Sequence, residues 1–211
     1  MLSRKDRYSN ILAWFAENMH NAKSELNFRN PYELLVAVML SAQCTDKRVN
    51  QVTPALFERY PDIYSLAKGT EDEILEYIKS VSYPNAKALH LLQMAQIVVD
   101  KCDGEIPSTL EALTSLPGVG RKTANVMLAV AFGKPAMPVD THVFRVSHRL
   151  GLADEAKNPL QTEMILRQYI PESILSDAHH WLLLHGRYVC TALAPKCDEC
   201  GIRDYCKEFK E

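Results

Sequence analysis

Four of the six cysteines lie close together near the end of the sequence. Cys190, Cys197, Cys200 and Cys206 follow the spacing C-x6-C-x2-C-x5-C. Because Cys190 ends a predicted helix and the other three follow in a loop, all four thiolates can face one site. Four thiolates suit an iron–sulfur cluster or a tetrahedral zinc ion. The six-residue first gap favours the cluster, since structural zinc more often uses two closely spaced pairs.

A proline and two glycines interrupt the helical pattern at residues 117–120, Pro-Gly-Val-Gly. The glycines can adopt positive φ and allow another backbone to approach closely. The helix that begins at Arg121 presents N–H groups and a positive dipole end, which suit a phosphate diester. A simple helix C-cap is the structural alternative. Residues 121–149 add five Arg or Lys side chains against Asp140 alone, a modest basic footprint in a chain of formal net charge −2.

Lys122 and Asp140 are the two residues of this stretch that could carry chemistry. Lys122 stands at the start of a predicted helix, where the dipole and Arg121 both favour the neutral amine that a nucleophile requires. Asp140 precedes another predicted helix and can cap it, and the same dipole effect keeps a capping carboxylate ionised. Taken alone, the two residues could be a surface lysine and a structural cap.

Three segments of the sequence carry a resemblance to a known family. LPGVGRKTANVML, followed by VDTHVFRVSHRLGL, resembles the helix-hairpin-helix and the aspartate-bearing loop of the endonuclease III family of DNA glycosylases. The cysteine spacing is similar to that family's [4Fe-4S] loop, and LSAQCTDKRVN resembles the helix that precedes the hairpin. These segments occur in the family's order and span nearly the whole chain.

The resemblance implies a base-excision DNA repair enzyme that removes oxidised pyrimidines from double-stranded DNA. It assigns Lys122 the attack on C1′ of the flipped nucleotide, which gives an imine that cleaves the 3′ side of the abasic site by β-elimination. It assigns Asp140 the tasks of assisting deprotonation and of stabilising the developing positive charge. The implied activities are DNA glycosylase and DNA-(apurinic or apyrimidinic site) lyase. The implied cofactor is a [4Fe-4S] cluster on the four cysteines, which leave no iron open to substrate.

A flipped nucleotide leaves a gap in the duplex that protein side chains must fill. Gln43 resembles the family's helix position that enters the duplex. Tyr83, in VSYPNAKAL, stands where the family pattern LYNSKA has a leucine wedge, so Tyr83-Pro84 departs from the family. The structural alternatives are a buried amide and a packed aromatic ring. The full set of predicted DNA-binding residues is Gln43, Tyr83, Pro117, Gly118, Val119, Gly120 and Arg121.

Helix signals recur along the whole sequence, and no segment alternates with the period of two that strands show. The sequence therefore predicts an all-α protein. Apolar stripes, capping residues and glycine stops predict helices at about residues 4–19, 31–42, 46–59, 71–78, 86–102, 109–116, 121–132, 141–150, 159 onwards and 171–188. Pro54 is a candidate kink in the third of these.

The resemblance also implies the domain organisation. We expect a six-helix barrel domain at residues 24–135, with the helix-hairpin-helix at about 109–132. We expect it to pack against a helical domain of residues 1–23 plus 136–211, which carries the cluster loop at 190–206. The active site is expected in the cleft between the two domains.

Composition limits the compartment and the class of partner. Hydrophobic residues make up 47% of the 211 residues, which is ample for a core. The N-terminus MLSRKDRYSNILAWF is charged where a signal peptide is apolar, and the longest apolar runs are too short to span a membrane. We therefore expect a cytoplasmic, nucleoid-associated monomer with no membrane and no obligate protein partner. Thiols stay reduced there, so Cys44 and Cys102 are expected to be buried free thiols.

Two other functions remain alternatives at this level. A monofunctional adenine glycosylase-like enzyme would share the cluster and the aspartate. Ala37, however, stands where that enzyme carries a catalytic glutamate, Lys122 replaces its non-lysine residue, and only five residues follow Cys206. A non-catalytic helix-hairpin-helix DNA-binding protein with a structural cluster is the second alternative, and only Lys122 paired with Asp140 separates it from an enzyme.

Overall fold

The computed structural model describes residues 2–209, and within that range helices are joined by turns without any β-strand. The all-α prediction is confirmed. The α-helices are α1 Arg4–Asn18, α2 Pro31–Ser41, α3 Asp46–Arg59, α4 Ile63–Ala67, α5 Glu71–Ile78, α6 Pro84–Cys102, α7 Leu110–Thr114, α8 Arg121–Val126, α9 Thr141–Arg149, α10 Pro159–Tyr169 and α11 Leu175–Tyr188.

Capping side chains explain where several helices begin. Asn30 accepts a hydrogen bond from the Glu33 N–H ahead of Pro31 at the first turn of α2. Thr70 and Glu73 form a complete capping box on α5. Each such bond satisfies a backbone N–H that has no partner within the helix.

Two local features differ from the sequence prediction, and a third, the position of Pro54, agrees with it. The helix predicted for residues 121–132 is α-helical only to Val126 and continues as a π-helical turn, Met127–Ala131. The helix predicted from 171 begins as a 3-10 turn, Glu172–Ile174, before α11. Pro54 lies inside α3, which extends on both sides of it.

The described chain separates into two compact units. One is Ser24–Gly133, which contains α2 to α8. The other combines the described residues before Ser24 with those after Gly133, and so contains α1 and α9 to α11.

Helix α2 is the central element of the Ser24–Gly133 unit. Its residues Tyr32–Leu40 are buried on every face, and the helix packs against α3, α6 and α8. Ala37 is fully buried within it. A helix that is apolar on all sides is stable only when neighbouring elements surround it, which explains its central position.

The other unit has its own apolar core. Helix α1 contributes Ile11 and Phe15, α9 contributes Val143 and Val146, and α11 contributes Trp181, all buried together. Ile202, from the loop that bears the cysteines, is fully buried in the same core. The core therefore anchors the cysteine loop to the helices. No helix among residues 2–209 is long and apolar enough to span a bilayer.

Candidate functional site

The glycine turn joins α7 to α8 as the sequence predicted, and its two glycines serve different purposes. Gly118 has a φ of +74°, and a Cβ placed on it would lie 2.9 Å from Cβ of His90. Its glycine character is therefore required both by backbone conformation and by the close approach of α6. At Gly120 no atom lies within 4 Å of the position that a Cβ would take, so the approach to the start of α8 is open there.

The side chains of the turn divide between core and surface. Val119 is only 5% exposed, and its N–H donates to the Leu116 carbonyl at 3.1 Å. The Val119 side chain therefore packs into the core of the unit and is not presented at the surface of the turn. Gly120 provides no side-chain cap for α8, and Arg121 and Lys122 are exposed.

Lys122 is the second residue of α8 and stands at its exposed end. The next turn is buried, with Ala124, Asn125 and Val126 facing the unit's interior. Asn125 is 2% exposed, and its Nδ2 has no hydrogen-bond partner. The π-helical turn follows at once, a feature that often marks functional sites.

Asp140 caps α9, as the sequence predicted. Its Oδ1 accepts hydrogen bonds from the backbone N–H groups of His142, at 2.9 Å, and Val143, at 2.8 Å. The carboxylate is half-buried and meets the positive end of the α9 dipole. Asp140 belongs to the unit with α9 to α11, whereas Lys122 belongs to the Ser24–Gly133 unit.

Gln43 and Tyr83 lie on two loops that the structure joins. Both residues have a φ of +53°, which is rare outside glycine. The Ser82 hydroxyl donates to the Gln43 carbonyl at 2.7 Å and ties the loops together. Gln43 is exposed and Tyr83 is 66% exposed. Neither the buried amide nor the packed aromatic ring, the two structural alternatives, is observed.

All four predicted ligand cysteines line one small cavity of about 30 Å³. They are Cys190, Cys197, Cys200 and Cys206, each a half-buried free thiol. Burial raises the pKa of the Cys200 and Cys206 thiols, and neighbouring cysteines raise them further. Four thiolates at this density need a compensating cation, so the donor set fits a metal group.

A cluster and a single ion place different demands on this donor set. Among residues 2–209, no three His, Cys, Asp or Glu side chains are arranged to hold one metal ion. In a [4Fe-4S] cluster each thiolate binds its own iron, so the four sulfurs surround a volume and do not meet at one point. Cysteines distributed around a cavity meet that requirement.

Two arginines of the basic stretch 121–149 hold the cysteine loop. Arg149 donates from Nη1 to the Thr191 carbonyl at 2.7 Å and to Cys190 Sγ at 3.6 Å, and from Nη2 to the Ala192 carbonyl at 3.0 Å. Arg145 Nη2 donates to the Cys190 carbonyl at 3.0 Å. Their spacing of four residues places both on one face of α9, which is the signal that could have identified them.

The far side of the loop is fixed by close packing and a buried histidine. A Cβ on Gly201 would lie 2.2 Å from Trp14, so only glycine fits there. His185 Nε2 lies 3.8 Å from Cys200 Sγ, and burial lowers the pKa of His185 to about 4. Cys44 and Cys102, predicted to be buried, are only half-buried free thiols.

Two family models match this chain. Residues 36–172 match the HhH-GPD superfamily of base excision DNA repair proteins, and residues 190–206 match the iron–sulfur binding domain of endonuclease III. The second match begins and ends on Cys190 and Cys206. The helix-hairpin-helix glycosylase fold and the iron–sulfur cofactor, a [4Fe-4S] cluster, are therefore confirmed.

Similar proteins agree with the family models. Endonuclease III of Rickettsia felis is 46% identical over 199 residues, covering 94% of this chain and 93% of the relative. That of Escherichia coli K12 is 44% identical over 201 residues, covering 95% and 94%. A solved structure described as a trapped endonuclease III–DNA covalent intermediate superposes with a TM-score of 0.93 at 42% identity, covering 99% of this chain and 97% of that one. The chain belongs to the endonuclease III family, within the HhH-GPD superfamily of base excision DNA repair proteins.

Proposed function

We propose that this protein is a bifunctional DNA glycosylase and abasic-site lyase that acts on oxidised pyrimidines in double-stranded DNA. The observation that carries the proposal is the position of Lys122, an exposed lysine directly after the Gly118–Gly120 turn. A similar protein of the family has been trapped with DNA as a covalent intermediate, which requires a nucleophile on the enzyme.

The turn and the start of α8 bind the DNA backbone in this proposal. The open space at Gly120 lets a phosphate approach the first turn of the helical segment Arg121–Ala131. Arg121 adds positive charge, and none of these contacts depends on base sequence. Val119 contributes by shaping the turn, because its side chain lies in the core and its N–H is already bonded to the Leu116 carbonyl.

Gln43 and Tyr83 open the duplex in this proposal. Both are exposed on adjoining loops, and an amide and an aromatic ring can replace the lost partner and the lost stacking of a flipped base. Tyrosine offers an aromatic face for stacking, which the leucine of the family pattern lacks. Its left-handed backbone conformation orients the ring relative to α6, which begins at the next residue.

The chemical steps follow from an amine nucleophile. The Nζ lone pair of Lys122 attacks C1′, the bond from C1′ to the base breaks, and the base leaves with that electron pair and a proton. Ring opening gives a protonated imine between Nζ and C1′. Loss of a proton from C2′ then expels the phosphate-bearing 3′ oxygen, so the strand breaks on the 3′ side, and hydrolysis of the imine restores the lysine.

Asp140 supplies the negative charge that these steps need. Positive charge develops on the sugar as the base leaves, and a fixed carboxylate stabilises that charge better than reorienting water does. The two backbone N–H groups of α9 hold one of its oxygens, which fixes the carboxylate without neutralising it. It also assists deprotonation of Lys122.

The cysteine loop has a supporting role. Four cysteine ligands leave no iron open to substrate, so the cluster would fix residues 190–206 structurally. Exposed charged residues of the loop, such as Lys196 and Arg203, could then contact phosphates. We further propose that the protein works in the cytoplasm, at the nucleoid, as a monomer without an obligate partner.

Three labelled duplexes distinguish the proposed function from its alternatives. One carries an oxidised thymine, one a mispaired adenine and one an abasic site. We expect base release from the first and strand cleavage of the third without added base. Release of adenine without strand cleavage would identify the monofunctional alternative. Binding of all three duplexes without any product would identify a non-catalytic DNA-binding protein.

A further inference from the structure

Lys87, on the first turns of α6, is an almost buried lysine with two strong acceptors. Its side chain is 8% exposed, and Nζ donates to the carbonyls of Leu40 and Ala42, each at 2.7 Å. These carbonyls lie at the C-terminal end of α2, which has no further helical turn to satisfy them. An ammonium ion at the negative end of a helix dipole stabilises that end.

The contact of Lys87 matters because the C-terminal end of α2 leads directly into the loop that carries Gln43. Ala42 is the C-cap of α2, and the next residue is Gln43 in its left-handed conformation. The ammonium of Lys87 therefore fixes the backbone from which Gln43 projects. Burial lowers the pKa of Lys87, against an opposing effect of Cys44, so the two hydrogen bonds to carbonyls help to offset the cost of burying this amine.

The backbone of the same residue holds the second loop. The Lys87 N–H donates to the Tyr83 carbonyl at 3.2 Å, in the first turn of α6. Tyr83, like Gln43, has a φ of +53°. Ser82 completes the connection through its hydroxyl to the Gln43 carbonyl. One residue thus bonds to both loops, which are also bonded to each other.

We infer that Lys87 is a positioning residue that holds Gln43 and Tyr83 as one rigid pair, so that both can enter the gap left by a flipped nucleotide. This inference rests on the proposed function. Lys87 touches no reacting atom and acts only through the two loops. Lys87 keeps the two loops rigid before DNA binds. Less conformational entropy is then lost when the loops enter the duplex around a flipped nucleotide.

The Lys87→Met variant tests the inference because methionine keeps much of the length but lacks the donors and the charge. Single-turnover base release from duplex DNA is expected to fall by about 10-fold or more, since two hydrogen bonds to a charged group are lost. Borohydride trapping on an abasic site in single-stranded DNA is expected to stay within about 2-fold of wild type, because that substrate has no duplex gap to fill.

The control variant is Lys101→Met, an exposed lysine near the other end of α6. It should leave both rates unchanged. If Lys87→Met does not fold, Ser82→Ala removes the Ser82–Gln43 bond at a partly exposed site and should show the same duplex-specific loss. Thermal unfolding of each variant verifies folding.

Equal losses on duplex and single-stranded DNA would overturn the inference, because they would show a general structural role. An unchanged duplex rate for Lys87→Met would overturn it as well. A wild-type protein that releases no base and traps on neither DNA would instead refute the proposed function. The two failures are therefore distinguishable.

Discussion

Asp140 Oδ1 accepts the backbone N–H of Val143 at 2.8 Å, which makes this carboxylate the N-cap of α9. The proposed mechanism uses the same carboxylate as a catalytic charge. The structural and chemical roles can be separated because an asparagine side chain can cap a helix but carries no charge.

For Asp140→Asn we expect folding stability close to wild type and a loss of about 100-fold or more in single-turnover base release. Asp140→Ala should lose the same activity and also about 1 kcal/mol of unfolding free energy, because the cap is gone. Urea unfolding and a gel assay measure the two effects. An Asp140→Asn enzyme with near-normal activity would contradict the catalytic role.

Gly118 and Gly120 offer a matched pair of glycine substitutions. Gly118→Ala should destabilise the protein by about 1 kcal/mol or more, because alanine is strained at a φ of +74° and its Cβ would meet His90. Gly120→Ala has neither problem and should leave stability almost unchanged. Urea unfolding of both variants tests the difference.

The affinity for DNA should depend on Gly120, although the stability of the protein does not. A methyl group at Gly120 would occupy the open approach to α8, so Gly120→Ala should weaken binding to duplex DNA although it folds normally. Fluorescence anisotropy at fixed salt measures this. Unaltered affinity in Gly120→Ala would show that phosphates do not approach at this turn.

Arg149 should control how firmly the cluster is held. Arg149→Gln removes the donors to the loop carbonyls of Thr191 and Ala192 and to Cys190 Sγ. We expect the visible absorbance of the cluster to bleach about 10-fold faster with a chelator, since such supporting bonds affect metal affinity by 10-fold or more. Arg167→Gln, whose partner is Glu163 on α10, is the control and should bleach at the wild-type rate. If Arg149→Gln and Arg167→Gln bleach at the same rate, Arg149 does not help to hold the cluster.

His180 makes the folding stability of the protein depend on pH in the mildly acidic range. Burial lowers the pKa of His180 below the usual 6.5, against the smaller opposing effects of the Ser176 carbonyl and Asp177. The unfolded chain therefore binds a proton that the folded chain does not, and stability is lost as pH falls below about 6.5. In His180→Gln the free energy of unfolding should fall less steeply with decreasing pH than in wild type, by at most about 1.4 kcal/mol per pH unit. Urea unfolding at pH 7 and pH 5.5 tests this, and identical pH dependence in both proteins would refute it.

The sequence predicted the long helices and the cysteine loop because their signals are local. Asn30-Pro31 and Thr70-Glu73 mark helix starts by residue type alone, and the cysteine spacing is readable without any fold. Short or distorted helices were harder to predict from the sequence. Helix α4 was missed because five residues give no periodicity, although Asp62 and Ser65 form a capping box. The π-helical turn has no signature in residue type.

The supporting contacts of the site could not be predicted because they join residues far apart in sequence. Lys87 bonds to carbonyls about 45 residues earlier, and Arg149 bonds to a loop about 42 residues later. A lysine and an arginine in a charged, amphipathic segment look like surface residues, although in the fold Lys87 is buried and Arg149 is half-buried. Burial of Val119 was hidden for the same reason, since a hydrophobic residue in a turn can point either way.

Borohydride trapping on abasic-site DNA tests the central claim most directly, because it reduces an imine to a stable cross-link. We expect wild type and Lys134→Ala, a control from the same basic stretch, to be trapped, and Lys122→Ala to give no cross-link while still binding the DNA. Cross-linking that persists in Lys122→Ala would show that another amine is the nucleophile and would contradict the account.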